Sequence, residues 1–96
     1  MNGEMNDVQF QILDSIYFVE SFANIVEEAG EPVPVVVDEL RTMIDRGWIQ
    51  VMMLHEEKID FVRTSIYDTD HMEEYHYLAT KTGLMKHNGR GNEERL

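Results

Sequence analysis

The 96-residue chain has no cysteine, which excludes disulfides and thiolate metal sites from its fold and chemistry. Positive charge is scarce too. Eight Lys and Arg face 19 Asp and Glu, for a formal net charge of -11, so a polyanionic partner is unwelcome unless the few cations gather locally. Linear order does not gather them. Up to Thr80 the basic residues are Arg41, Arg46, Lys58 and Arg63, while Lys81, Lys86, Arg90 and Arg95 crowd the last stretch. Long apolar runs are missing: none approaches the ~20 residues of a membrane span. The acidic start Met1-Asn-Gly-Glu-Met-Asn-Asp7 also lacks the cationic opening of a signal peptide. A cytoplasmic protein without a membrane partner is the resulting expectation.

Catalytic phrases are missing as well. There is no nucleophile elbow, glycine-rich phosphate loop or zincin motif, and the carboxylate pairs Glu27-Glu28 and Glu73-Glu74 are adjacent rather than opposed across a cleft. A chain this short would struggle to enclose a substrate pocket of ~300 Å3 without a partner subunit. The expectation is a non-enzymatic protein with no cofactor.

What is present is a well-punctuated order of elements. Asn6 or Asp7 can cap a first helix, with Gln9 placed to reach back to the cap, and the apolar pattern carries that helix to about Glu20. Ser21 offers a second cap, before Phe22, Ile25, Val26 and Ala29 at helical spacing, and Gly30 stops that helix. Glu31-Pro-Val-Pro34 then starts a third near Val33. On that helix Val33, Val36, Val37, Leu40, Met43 and Ile44 gather on one side, leaving Val35, Asp38, Glu39, Arg41, Thr42 and Asp45 outside.

Gly47 is the hinge of the pattern: a residue able to take positive φ ends the third helix and passes directly into the apolar run Trp48–Leu54, read as a strand. His55-Glu-Glu-Lys58 is a polar turn, and Ile59–Tyr67 alternates as the hairpin partner. Between Asp68 and Ala79 the pattern suits a turn followed by a short strand. Thr80 can cap a terminal helix over about Lys81 to His87. The expected organisation is one domain over residues 1–88, with 89–96 a flexible C-terminal tail.

Three helices, the third running into Arg46-Gly-Trp-Ile49, then a hairpin, then Tyr75-His-Tyr-Leu-Ala-Thr-Lys-Thr-Gly-Leu84, resemble the winged helix-turn-helix superfamily. The likeness is to small bacterial transcriptional regulators of the MarR and PadR kind. It covers about Gln9 to His87, and Tyr77, Leu78, Thr80 and Gly83 stand in the order of that family's wing-closing phrase, with Ala79 inserted. The resemblance implies an α+β fold: a three-helix core with a β-hairpin wing and a short C-terminal helix. It also implies a regulator whose third helix enters the DNA major groove while the wing touches the backbone.

Carried over to this chain, the nucleic-acid-binding candidates are Arg41, Thr42, Arg46, Lys58 and Arg63. Phosphate contacts supply most non-specific DNA affinity, yet the front of the helix offers Asp38 and Glu39 and the hairpin tip Glu56 and Glu57. Duplex DNA is therefore the partner the resemblance implies and the charge opposes. The alternative is a protein-interaction winged helix that does not bind DNA by itself.

Other side chains carry their own readings. Phe10, Leu13 and Tyr17 form a second apolar stripe on the first helix, a candidate interface for a homodimer or a protein partner unless neighbouring helices cover it. His71, Glu74 and His76, near Asp68 and Asp70, are metal-binding residue types. Their spacing does not converge on either a helix or a strand, so no metal site is expected. His55 and His87 stand alone and are expected in solvent. Trp48 is expected to pack under the helices, and one of Met52 and Met53 to enter the core.

Overall fold

The computed structural model describes residues 5–55, 57 and 59–94, with side chains described through residue 90. The first helix, α1 (Asp7–Ser15), opens on a reciprocal capping box: the Asn6 side chain accepts the Gln9 N–H at 2.8 Å, and the Asn6 N–H donates to Gln9 Oε1 at 3.0 Å. It ends well before Glu20. The Ile16 carbonyl accepts the Ala79 N–H at 3.0 Å, and Glu20–Ser21 become a short strand, β1. Pairing with a segment far along the chain has overridden the helical periodicity read from residues 16–20.

Ser21 caps α2 (Phe22–Ala29), accepting the Asn24 N–H at 3.2 Å, and Gly30 closes that helix with φ +66°. Helix α3 (Val33–Asp45) follows with Pro32 at its N-cap and proline again in its first turn, where no backbone donor is lost. Val36, Leu40 and Met43 are fully buried and Val37 and Ile44 half-buried, whereas Val33, expected inside, is 49% exposed. Val33 sits in the first turn, ahead of the segment that meets the core.

Gly47 takes φ +77°, and the Trp48 N–H reaches back to the Met43 carbonyl at 2.9 Å. Strand β2 (Ile49–His55) then pairs antiparallel with β3 (Asp60–Thr64), shorter than the Ile59–Tyr67 strand expected from alternation. A 3-10 turn at Met72–Glu74 precedes β4 (His76–Ala79), and α4 (Lys81–Glu94) closes the chain. The turn-then-strand reading of this stretch holds, but the last helix runs past His87 through much of the segment read as a tail.

Among the described residues the result is an α+β fold of four α-helices and a four-stranded antiparallel sheet in the order β1-β4-β2-β3. Register places Ile49 opposite Ala79 and Val51 opposite Tyr77. These four buried side chains make the sheet's inner face, against Ile12, Leu13, Ile16, Phe22, Ile25, Val36, Leu40, Met43, Trp48 and Met72 in one core. Tyr77 is completely buried and donates its hydroxyl to the Met72 carbonyl at 2.7 Å. On the outer face Met52 is 9% exposed, between Arg63 and His76 in register, whereas Met53 is exposed. Among the described residues no helix is long and apolar enough to cross a membrane.

Candidate functional site

Outside the core, α3 presents Asp38, Arg41, Asp45 and Arg46 to solvent, with Thr42 half-buried among them. The four charges are balanced in number and differ in engagement. Arg46 lies over the Trp48 ring, 5.1 Å from its centroid, which ties this guanidinium to the helix-strand junction. Glu39, on the opposite flank, accepts a hydrogen bond from Asn6 Nδ2 at 2.8 Å. The centre of the outward face is left to Asp38, Thr42 and Asp45.

Between the end of α3 and the β2-β3 pair lies an open groove of about 200 Å3. Ile44, Ile49 and Val51 supply its apolar lining, and Arg63, Ser65 and Tyr67 are among its polar residues. The groove arises because β3 pairs with β2 only as far as Val51, opposite Thr64, so Ile49 and Gln50 have no strand neighbour on that side. Burial pushes the Tyr67 phenol above its ordinary range; Asp45 adds to this and Arg41 opposes it. Arg41 thus acts on the Tyr67 phenol, while Arg63 is among the residues lining the groove with it. Of the other candidates, Arg46 is turned to Trp48, Thr42 is half-buried, and Lys58 lies outside the described residues.

The stripe Phe10, Leu13 and Tyr17, read as an interface unless neighbouring helices cover it, meets α4 within the chain. Leu13 is fully buried in the core. The Phe10 ring stacks on His87 of α4 with centroids 4.2 Å apart, and the Tyr17 hydroxyl meets His87 Nδ1 at 2.8 Å and Asn88 Oδ1 at 3.1 Å. Arg90 extends the seam, pairing with Asp7, donating to the Asn6 carbonyl at 2.7 Å and lying 4.7 Å over the Phe10 ring. Helix α4 therefore packs against the stripe within the chain, leaving Phe10 half-buried and Tyr17 41% exposed. His87, expected in solvent, is 7% exposed, with Nε2 3.4 Å from the Asp14 carboxylate. Gly83, His87 and Arg90 share the docking side of α4 at helical spacing, a signal that a longer helix assignment would have exposed.

His71, Glu74 and His76 are not brought together. His71 Nδ1 contacts Asp68 Oδ2 at 2.7 Å, and the His76 ring leans on Phe61 with centroids 4.6 Å apart. Among the described residues no group of three His, Cys, Asp or Glu side chains could hold a metal ion. His55, half-buried, stands apart from them on β2.

Compared with known proteins, the chain matches no family model, no curated protein and no solved structure.

Proposed function

We propose that the chain is a non-enzymatic winged-helix module of transcription-regulator type that acts through a protein contact rather than by reading DNA unaided. The order of α2, α3 and the β2-β3 hairpin, with β4 returning between β1 and β2, supports the winged-helix assignment. What carries the choice of partner is the outward face of α3, where Asp38 and Asp45 occupy the positions a DNA reader gives to donors. Arg46, one of the two cations there, packs on Trp48. Such a face suits a basic protein partner.

The opposing reading, a DNA-binding regulator, rests on Arg41, exposed on α3 and felt at Tyr67, and on Arg63 in the adjacent groove. Fluorescence anisotropy with random-sequence duplex at low salt separates the two. The expected dissociation constant is weaker than about 10⁻⁴ M. Tight binding that falls steeply as salt rises, and that Arg41→Ala or Arg63→Ala weakens, would overturn the proposal.

A further inference from the structure

Strand β3 (Asp60–Thr64) is an open edge of the sheet. Its neighbour β2 pairs with β4 only as far as Met52, so among the described residues the hairpin runs on from Met53 as two strands alone. A two-stranded ribbon is marginal in water unless another strand or layer adds to it. Native sheets usually blunt an exposed edge with proline, lysine or a very short strand. Strand β3 has five residues, neither proline nor lysine among them, and Phe61 and Val62 near its middle.

The backbone groups on the outer side of β3 are those of Phe61 and Arg63. The Phe61 N–H is held at 2.8 Å by Oδ1 of the preceding Asp60 rather than by β2, and antiparallel alternation gives Arg63 the same orientation. Val62 stands opposite Met53 on β2, and these two side chains are 37% and 44% exposed. Ile59 before the strand and Ile66 beyond it are 86% and 83% exposed, so apolar surface brackets Val62 on both sides. The segment is also locally neutral. From Ile59 to Ile66 the charged residues are Asp60 and Arg63, one of each sign, in a chain of net charge -11. Two copies of an acidic protein can meet along this edge without setting like charges opposite each other.

We infer that β3 is a docking edge for a second copy of this chain, the two strands pairing antiparallel about Val62 into one continuous sheet. In that register Phe61 of each copy lies opposite Arg63 of the other as a hydrogen-bonded pair, and each guanidinium meets an aromatic ring. The Phe61 N–H exchanges the Asp60 carboxylate for the Arg63 carbonyl of the other copy. Asp60 falls opposite Thr64, and Val62 opposite Val62 as the closer, non-hydrogen-bonded pair, with Met53 beside it on the same face. A two-fold axis at Val62 makes the contact self-complementary and closed. A basic peptide would find one carboxylate on this edge; a second copy answers both Phe61 and Arg63. The interface does not use α3 and stands apart from the partner proposed for that helix.

Sedimentation velocity of the full chain over a concentration series tests the pairing. A monomer-dimer equilibrium with a dissociation constant on the order of 100 μM is expected, and it should tighten as salt screens the net charge. Val62→Lys sets two ammonium groups opposite each other and should weaken dimerisation about tenfold or more, whereas Val62→Thr keeps the β-branch and should retain it. The register is read by Val62→Cys in a chain with no cysteine of its own. A non-hydrogen-bonded pair holds its Cα atoms about 4.5 Å apart, within reach of a disulfide. Mild oxidation should convert this variant to a covalent dimer roughly tenfold faster than Met85→Cys, because pairing raises the effective thiol concentration, although Met85 on α4 is the more exposed position. A monomer at every concentration, dimerisation indifferent to Val62→Lys, or equal oxidation of the two cysteine variants would each overturn the assignment.

Discussion

A Cβ atom on Gly83 would fall inside contact distance of the Trp48 carbonyl oxygen, the same oxygen that accepts the Thr80 N–H at 3.0 Å. The first turn of α4 therefore rests directly on the backbone where α3 passes into β2. Thr80 reinforces the junction through its bond to the Gly47 carbonyl. Because the obstructing atoms are backbone, neither side can yield by rotating a side chain.

Gly83→Ala should accordingly destabilise the fold by about 1–3 kcal/mol, seen as a lower thermal midpoint. Gly89, on the same helix, has nothing within 4 Å of its own Cβ position. Gly89→Ala should stabilise by about 0.5–1 kcal/mol through helix propensity alone. Opposite signs from two glycines of one helix would establish the close approach; equal signs would refute it.

Alkaline pH should weaken the protein through Tyr77. Burial is the main cause that pushes its phenol far above the ordinary value of 10.0, with smaller contributions from Tyr67, Tyr75 and Glu73. Below that ordinary value the phenol is neutral in folded and unfolded chains alike, and the stability is fully present. Above it the unfolded chain ionises while the buried phenol resists, so stability falls as pH rises. Urea midpoints followed from neutrality to about pH 11 should decline, and Tyr77→Phe should flatten that decline. The same variant strips the Met72 carbonyl of its donor and should cost about 1–2 kcal/mol at neutral pH.

His71 should titrate above its ordinary 6.5, chiefly because of the hydrogen bond with Asp68, then the Asp68 charge, with Glu74 and Glu73 adding to it. Its pairing is fully present below 6.5 and lost as pH rises through the raised value. Asp68 is displaced in the opposite direction, first by the Asp70 N–H and then by His71, so its part is lost in acid. Imidazole NMR titration should return His71 towards 6.5 in Asp68→Asn; an unchanged midpoint would refute the pairing.

The α1-α4 seam predicts that Phe10→Glu with Tyr17→Glu loosens α4. Both rings lie against His87, and the new carboxylates would have to be accommodated where aromatic contacts are worth about 0.5–1.5 kcal/mol. Faster amide exchange along α4 with unchanged mass by light scattering is the expected result. A halved mass with unchanged exchange would restore the stripe as a dimer interface. Arg90→Ala should give a milder version of the same loosening.

Much of the fold was legible in local chemistry. The Asn6–Gln9 box, the Ser21 cap, the Gly30 and Gly47 stops and the proline-led start of α3 act over three or four residues, and each stands where the order of residues placed it. Trp48 enters the core as its place at the helix-strand junction suggested, but the pleat does not account for the methionines: Met53 alternates onto the face of Ile49 and Val51 yet is exposed, while Met52 is buried on the other face. The sheet was less legible. Glu20–Ser21 pair with His76–Tyr77 across more than half the chain, and no local signal in residues 16–21 announces that partner.

The site was legible only in part. Arg63 stood out by residue type, but linear order could not place it along one groove with Tyr67, which itself carried no motif. Tertiary structure likewise decided that His87 and Arg90 close over Phe10 and Tyr17, because an exposed and a covered apolar stripe have the same periodicity. The sequence by itself determined the caps, the stops and the scarcity of positive charge, since these depend on neighbouring residues or on composition. Only the folded chain decided which side of α1 the last helix packs on, since that depends on contacts between segments far apart in sequence.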